Sequence, residues 1–176
     1  MTMRYGRGTT PFGPAIAVVD EQGRLAELSI DVVGRAQLGF GGENKLHRAR
    51  AVLDLNACEH IFTQLDEYFA GTRRDFDLPL ALEGSEFEIG VWKELLAIPF
   101  GSTDSYGALA SRLGAQTHEG AREVGKAAGA NRIPIVVPCH RLVGSDGKLV
   151  GYALGLPMKQ RLLDLESAAT LTPRLL

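Results

Sequence analysis

A thiol, an imidazole and a guanidinium follow one another at Cys139-His140-Arg141, directly after the apolar run Ile133-Pro134-Ile135-Val136-Val137-Pro138. Such a cysteine is a candidate nucleophile, because nearby positive charge or hydrogen bonding pulls a thiol down from about 8.5 and enriches the thiolate. On a regular strand Cys139 and His140 would point to opposite faces. A direct contact between them therefore requires a bent backbone after Pro138, or a bridging water. The plain alternative for this pair taken alone is a buried, inert cysteine beside a hydrogen-bonded histidine. The second cysteine, Cys58, falls within a helical pattern and reads as core. His47, His60 and His118 have no metal-ligand spacing with the cysteines, so neither a metal nor a cofactor is expected.

The elements that must position these groups fall into two parts. In the first, Pro14 to Val19, a turn at Asp20 to Gly23, and Leu25 to Val32 read as strand, turn and strand. Gly39 to Asn44 reads as a loop. Apolar residues at Val52, Leu55, Ile61, Leu65 and Phe69 predict helix from about His47 to Phe69, with Gly71 as its C-cap. Phe76 to Leu82 then reads as a strand. In the second part, Ser85 caps a helix running to about Ala97, with Phe87, Val91, Leu95 and Leu96 on its apolar side. Ser105 to Leu113 and Glu119 to Ala130 form a pair of helices across a polar turn, similar to a helix-turn-helix. Gly144-Ser145-Asp146-Gly147 is a turn, Pro157 to Glu166 a last amphipathic helix with Leu162, Leu163 and Leu165 inward, and 167–176 a loose tail.

Composition narrows the class. The 176 residues, 45% hydrophobic and 23% charged, fit one ordinary domain or two small ones in a soluble globular protein. No apolar run is long enough for a membrane span, and the N-terminus has no signal-like segment. Two cysteines far apart imply no disulfide framework, hence a reducing, cytoplasmic setting. The net charge of −2 argues weakly against nucleic acid, but it is unevenly spread. Residues 1–85 carry 9 basic against 12 acidic side chains, and 86–176 carry 10 against 9. Arg112, Arg122, Lys126, Arg132 and Arg141 meet only Glu119 and Glu123 between 112 and 141.

Pro138-Cys139-His140-Arg141 in this surround resembles the active-site signature of the O6-alkylguanine-DNA alkyltransferases, the methylated-DNA–protein-cysteine methyltransferase family. The resemblance spans about 64–166. It includes Leu65-Asp66-Glu67-Tyr68-Phe69-Ala70-Gly71, Val91-Trp92, Ile98-Pro99-Phe100-Gly101, Ser105-Tyr106-Gly107, Gly151-Tyr152, Lys159 and Leu162-Leu163-Asp164-Leu165-Glu166. It implies an α+β protein. Residues 1–84 would be a small sheet-and-helix domain of ribonuclease-H-like fold, and 85–176 a mostly helical alkyl-acceptor domain with a helix-turn-helix.

The same resemblance implies the chemistry. Cys139 would be nucleophile and permanent acceptor, displacing guanine O6 from the alkyl carbon, with O4-alkylthymine a second candidate substrate. His140 would act through a water as base, Glu166 would orient and charge the imidazole, and Asn131 would brace the turn before the active-site segment. Tyr106 would donate to the departing guanine on its N3 side. Tyr152 would wall the base pocket, the Ala153 N–H would meet O6, and the carbonyls of Cys139 and Leu142 would meet the guanine amino group. Leu154, where relatives tolerant of a benzyl group have glycine, would crowd large substituents. The partner implied is double-stranded DNA carrying O6-alkylguanine, met by a monomer. The second helix of the pair would enter the minor groove, with Arg122 filling the gap left by a flipped-out nucleotide. Gly120, Ala121, Ser145 and Arg141 would also face the DNA, and Glu123 departs from the small residue usual there. A lesion-binding alkyltransferase-like protein would lack the cysteine. A Cys-His-Glu thiol hydrolase would use the same side chains with turnover, and a plain DNA-binding regulator would leave them unexplained.

Overall fold

The computed structural model describes residues 2–32, 51–115 and 118–171. The chain divides into two compact units, Met1–Leu82 and Glu83–Leu176.

The first unit is a four-stranded sheet with one helix. Its strands are β1 (Met3–Thr10), β2 (Gly13–Val19), β3 (Leu25–Ile30) and β4 (Ala51–Leu53), in the order β3-β2-β1-β4. β1, β2 and β3 pair antiparallel, and β4 joins β1 in parallel. Helix α1 (Leu55–Phe69) starts at Asp54, whose carboxylate accepts from the Ala57 N–H at 3.1 Å. It buries Cys58, Ile61, Leu65 and Tyr68. Gly6 and Gly8 of β1 leave room for Cys58 and Phe62, since a Cβ at either position would overlap those side chains.

Sequence reading misses β1 for that reason. Its helix-facing positions are glycines, so no apolar alternation marks the strand. The predicted helical start near His47 is also corrected at residues 51–53, which are strand β4; residues 47–50 and the Gly39–Asn44 loop lie outside the described residues. Phe76 to Leu82 is not a strand. Only Leu80 bridges to Leu25, through Leu25 N–H to Pro79 O and Ala81 N–H to Leu25 O, because Pro79 has no N–H with which to extend the ladder. Ala70 is the C-cap of α1, and Gly71 follows it at φ 75°, the left-handed conformation glycine adopts without penalty.

The second unit is mostly helical. Helix α2 (Glu86–Leu96) opens with a reciprocal cap between Ser85 and Glu88. It buries Val91, Trp92 and Leu95, whereas Phe87 and Leu96, expected inward, are exposed. Strand β5 (Asp104–Ser105) leads into α3 (Tyr106–Arg112), capped by the Ser105 hydroxyl. Helix α4 (His118–Gly129) packs against α3 and α2, and the Trp92 indole donates to Ala127 O at 2.8 Å. Part of the polar turn between α3 and α4, residues 116 and 117, lies outside the described residues. Strand β6 (Leu142–Val143) pairs in parallel with β5.

Helix α5 (Leu156–Leu171) runs five residues beyond the expected end at Glu166, so 167–171 is helix and not tail; residues 172–176 lie outside the description. Its buried residues are Met158, Lys159, Leu162 and Glu166, whereas Leu163 and Leu165 are only half-buried. Two of its four inward side chains are thus ionisable, which an ordinary apolar stripe would not contain. Among the described residues no helix is long and apolar enough to cross a membrane.

Candidate active site

The run from Ile133 to Pro138 is a compact turn and not the stiff extended segment its β-branched residues predict. Val137 N–H returns to Ile133 O at 2.9 Å, and Pro134 and Val137 form an isolated bridge. Ile135 sits at φ 74°, a conformation that costs a β-branched residue about 1–3 kcal/mol. Asn131 holds this shape. Its Oδ1 accepts from the Ile133 N–H at 2.9 Å, and its Nδ2 donates to Val137 O at 2.9 Å and to Cys139 Sγ at 3.2 Å. The bond to sulfur was not foreseen from sequence.

Cys139–Arg141 then forms one turn of 3-10 helix. With three residues per turn, successive side chains diverge by about 120° instead of alternating. The three side chains therefore radiate in different directions. Cys139 lines a cavity, while His140 and Arg141 turn inward onto Glu166. His140 Nε2 lies 2.8 Å from Glu166 Oε1, and both residues are fully buried. His140 Nδ1 has no hydrogen-bond partner among the described residues. Arg141, expected at the DNA surface, is buried, which corrects that expectation. Its guanidinium grips both Glu166 oxygens at 3.0 Å and Ile98 O at 2.6 Å.

Electrostatics follow from this burial. Burial pushes the Cys139 thiol up, against the Asn131 bond and the Lys159 charge, which pull it down. Burial holds the His140 imidazole below its usual value, with Arg141 and Lys159 acting the same way and Glu166 opposing them. Burial would raise the Glu166 carboxyl, but its bonds to His140 and Arg141 bring it down to about 2. The resting pair is thus a neutral thiol near a neutral imidazole backed by a carboxylate.

Parallel pairing of Ser105 with Val143 brings the start of α3 beside the end of the cysteine turn, so Tyr106 and Cys139 share one cavity of about 490 Å³. One wall is α4, through Ala121, Arg122, Gly125, Ala128 and Gly129; the other is Val150 to Ala153. Its volume lies within the range of small-molecule sites. The Tyr106 hydroxyl donates to Val150 O at 2.9 Å, and burial pushes the phenol up to about 12.

Lys159 is the site residue to which sequence reasoning gave no role. It is fully buried, and its ammonium donates to Val150 O at 3.0 Å and Gly151 O at 3.2 Å, with the Tyr106 ring centre 5.7 Å away. The available signal was its place between Met158 and Leu162, on the inward face of a helix.

Other expected residues distribute unevenly. Tyr152 and Ala153 line the cavity, but the buried Leu142 and Leu154 do not. Leu154 is buried directly behind the lining residue Ala153. Ser145 is exposed in its turn and outside the cavity. Gly120 is buried where a Cβ would strike the Ala115 carbonyl, whereas Gly129 has open space beyond it and Gly125 has only the Tyr106 ring at ordinary contact distance. Glu123 pairs with Lys126 at 2.6 Å. Among the described residues no group of three or more His, Cys, Asp or Glu side chains could hold a metal.

Comparison with known proteins agrees with this geometry. Residues 86–168 match the 6-O-methylguanine DNA methyltransferase DNA-binding domain, and residues 3–82 match the ribonuclease-like domain of the same proteins. The methylated-DNA–protein-cysteine methyltransferase of Mycolicibacterium paratuberculosis is 54% identical over 112 residues, which are 62% of this chain and 67% of that protein. That of Methanosarcina acetivorans is 49% identical over 105 residues, 60% of this chain and 66% of that one. The aligned stretch thus spans about two thirds of the curated relatives. The crystal structure of Mycobacterium tuberculosis O6-methylguanine methyltransferase superposes with a TM-score of 0.82 at 38% identity, covering 98% of this chain and 96% of that one. A Mycobacterium tuberculosis OGT in complex with DNA gives 0.79 at 37% identity, covering 94% of each chain. With both of its units matched, a cysteine at the cavity and a buried histidine–glutamate pair behind it, the chain belongs to the methylated-DNA–protein-cysteine methyltransferase family of DNA-repair proteins.

Proposed function

We propose that the chain repairs O6-alkylguanine in double-stranded DNA by moving the alkyl group once, irreversibly, onto Cys139. The observation that carries this reading is the thiol at the wall of a base-sized cavity, on the turn whose next residue, His140, is hydrogen-bonded to Glu166. The sulfur lone pair forms the S–C bond as the C–O6 bond breaks, and that electron pair leaves on guanine. The thiol proton passes through a water to His140 Nδ1, because Nε2 is engaged by Glu166. Asn131 donates to sulfur and supports the thiolate as it forms. Tyr106, kept protonated by burial, donates to the purine as charge develops on it, and the guanine anion recovers a proton there or from solvent. The thioether has no facile leaving step at neutral pH, so one protein molecule acts once.

The alkyl carbon of a stacked base is out of reach of Sγ, so the nucleotide must rotate out of the helix into the cavity. We assign α3 and α4 to the helix-turn-helix, with α4 set in the minor groove. Gly125 and Gly129 leave the backbone bare at the cavity, and Arg122 at its edge takes the vacated place in the stack. The first unit carries none of these groups, and we assign it a mainly structural role.

The deciding experiment is intact-protein mass after incubation with a duplex bearing one O6-methylguanine. One methyl per protein, mapped to Cys139, is the expected result. Many lesions cleared per protein molecule would mean a turnover enzyme instead.

A further inference from the structure

Arg141 stands next to the reacting residues without touching the cavity. Its Nε donates to Glu166 Oε2 at 3.0 Å, its Nη2 to Oε1 at 3.0 Å, and its Nη1 to Ile98 O at 2.6 Å. The guanidinium carbon lies 5.8 Å from the centre of the Phe100 ring. Glu166 Oε1 also accepts from His140 Nε2, and Oε2 accepts from the Gly101 N–H at 3.0 Å. One carboxylate is therefore divided between the imidazole and a permanent cation.

We infer that Arg141 is a positioning residue that, by sharing Glu166, keeps His140 uncharged at rest and so able to take the proton of Cys139. Its consequence for the rate rests on the alkyl-transfer reading; its effect on the imidazole does not. A charge count gives the reason. With His140 neutral, the Glu166 and Arg141 charges cancel. A proton on His140 would then leave a net positive cluster in an interior where burial already disfavours charge. Burial and Lys159 would still oppose that proton without Arg141, but it would then neutralise a buried carboxylate, and the imidazolium would be favoured more than it is now. An imidazolium cannot accept the thiol proton.

The other groups around the ring act consistently. Lys159 on α5 is a second positive charge disfavouring the imidazolium, and Glu166 on α5 is the negative charge opposing both cations. The turn after α2 contributes the Ile98 carbonyl and the Gly101 N–H. Guanidinium stays charged at every accessible pH, so the bias is constant where a titrating group would make it vary. The planar fork also fixes both carboxylate oxygens, and through them the ring orientation.

The test begins with the wild-type full chain carrying 15N-labelled histidine, with the His140 signals identified by their loss in His140→Gln. The ring is expected to remain neutral, protonated on Nε2, from pH 8 down to about pH 6, below the usual histidine midpoint. An imidazolium at pH 7 would overturn the inference whether or not the protein transfers methyl. In Arg141→Met the His140 titration should rise by at least about one pH unit. The acid limb of the single-turnover methyl-transfer rate should rise with it, so that the rate at pH 6 falls roughly tenfold further than the rate at pH 8.5. Arg141→Lys, which keeps a charge but loses the fork, should move both less than Arg141→Met does. An equal loss at every pH with an unmoved imidazole titration would reduce Arg141 to a structural tie. If Arg141→Met does not fold, the wild-type spectrum still decides. If no methyl transfer occurs at all, the alkyl-transfer reading fails while the imidazole signals still report on Arg141.

Discussion

The two cysteines make an informative pair. Cys58 in α1 and Cys139 in the 3-10 turn are both free, both buried, and both held above the ordinary thiol value chiefly by burial. Cys58 is sealed between α1 and the sheet, with its sulfur 3.5 Å from Ala17 O and its Cβ against Gly6. Cys139 lines a cavity of about 490 Å³ and has an amide donor at 3.2 Å, with a cationic Lys159 lowering its thiol value. Burial therefore does not separate the two thiols, and neither does a donor, since the Gly6 backbone lowers Cys58 as Asn131 lowers Cys139. Access to a cavity does.

The comparison breaks most sharply by exchanging roles. Cys139→Ala should abolish methyl uptake from a methylated duplex, and Cys58→Ala should leave the stoichiometry at one, both read by intact mass. Any methyl on Cys58 would mean that access is not the discriminating property.

Next in size is the base. His140→Ala should slow single-turnover transfer by about 10²–10⁴-fold. Duplex affinity should not change, because the ring is buried away from the cavity mouth. An unchanged transfer rate would move the base function elsewhere.

A smaller effect separates access from chemistry. Arg122→Ala should slow repair of duplex by roughly tenfold, as an unfilled stack raises the cost of extruding the base. Reaction with free O6-methylguanine base should be nearly unaffected. Equal losses on both substrates would make Arg122 part of the pocket.

Methylation itself should lower stability. A methyl on Cys139 Sγ displaces the Asn131 amide, which also holds the strained Ile135 turn. Overpacking of this kind commonly costs about 1–3 kcal/mol. The thermal midpoint without DNA should fall by several degrees, roughly 3–8 °C. An equal or higher midpoint after complete methylation would show that the turn absorbs the group.

The mildest test uses pH. Glu166 is held at about 2 against an ordinary 4.5, and His140 below its ordinary 6.5. Both groups contribute stability above their unfolded values. That from His140 is lost as pH falls below 6.5, and that from Glu166 as it falls from 4.5 towards 2. Cys139 and Cys58 are raised above 9.0, so their contribution is lost on the alkaline side, as pH climbs past 9.0. Denaturant midpoints should decline on both flanks, and His140→Gln should flatten the step below pH 6.5. Loss of stability confined to the alkaline side would contradict the neutral-imidazole arrangement.

Much of the molecule is legible from residue types because the relevant rules are local. Ser85 with Glu88 makes a reciprocal cap, Ser105 caps α3, Gly114 at φ 80° stops it, and the Asp20 to Gly23 turn sets off the strand Leu25–Ile30. β1 and the Phe76–Leu82 segment are misread for equally physical reasons. Glycines facing α1 erase the apolar period of one, and a proline removes ladder hydrogen bonds from the other.

The sequence by itself determined the groups at the site: a cysteine after a proline, its histidine and arginine, a distant glutamate, and the tyrosine and asparagine with them. Periodicity and caps, which act over a few residues, also marked a first part with strands and a mostly helical second part, and the family resemblance supplied the α+β class. Only the tertiary structure decided what each group faces. Arg141 faces Glu166 and not solvent, Leu154 joins the core and not the cavity, and Lys159 is buried against Val150 and Gly151. The reason is that a β-branched run predicts an extended segment, while Asn131, by bonding Ile133, Val137 and the sulfur, holds it in a turn that no local preference would select. That turn sets the three directions in which Cys139, His140 and Arg141 point, and burial, modulated by Lys159 and Glu166 of α5, a helix distant in sequence, sets the electrostatics of the thiol and the imidazole.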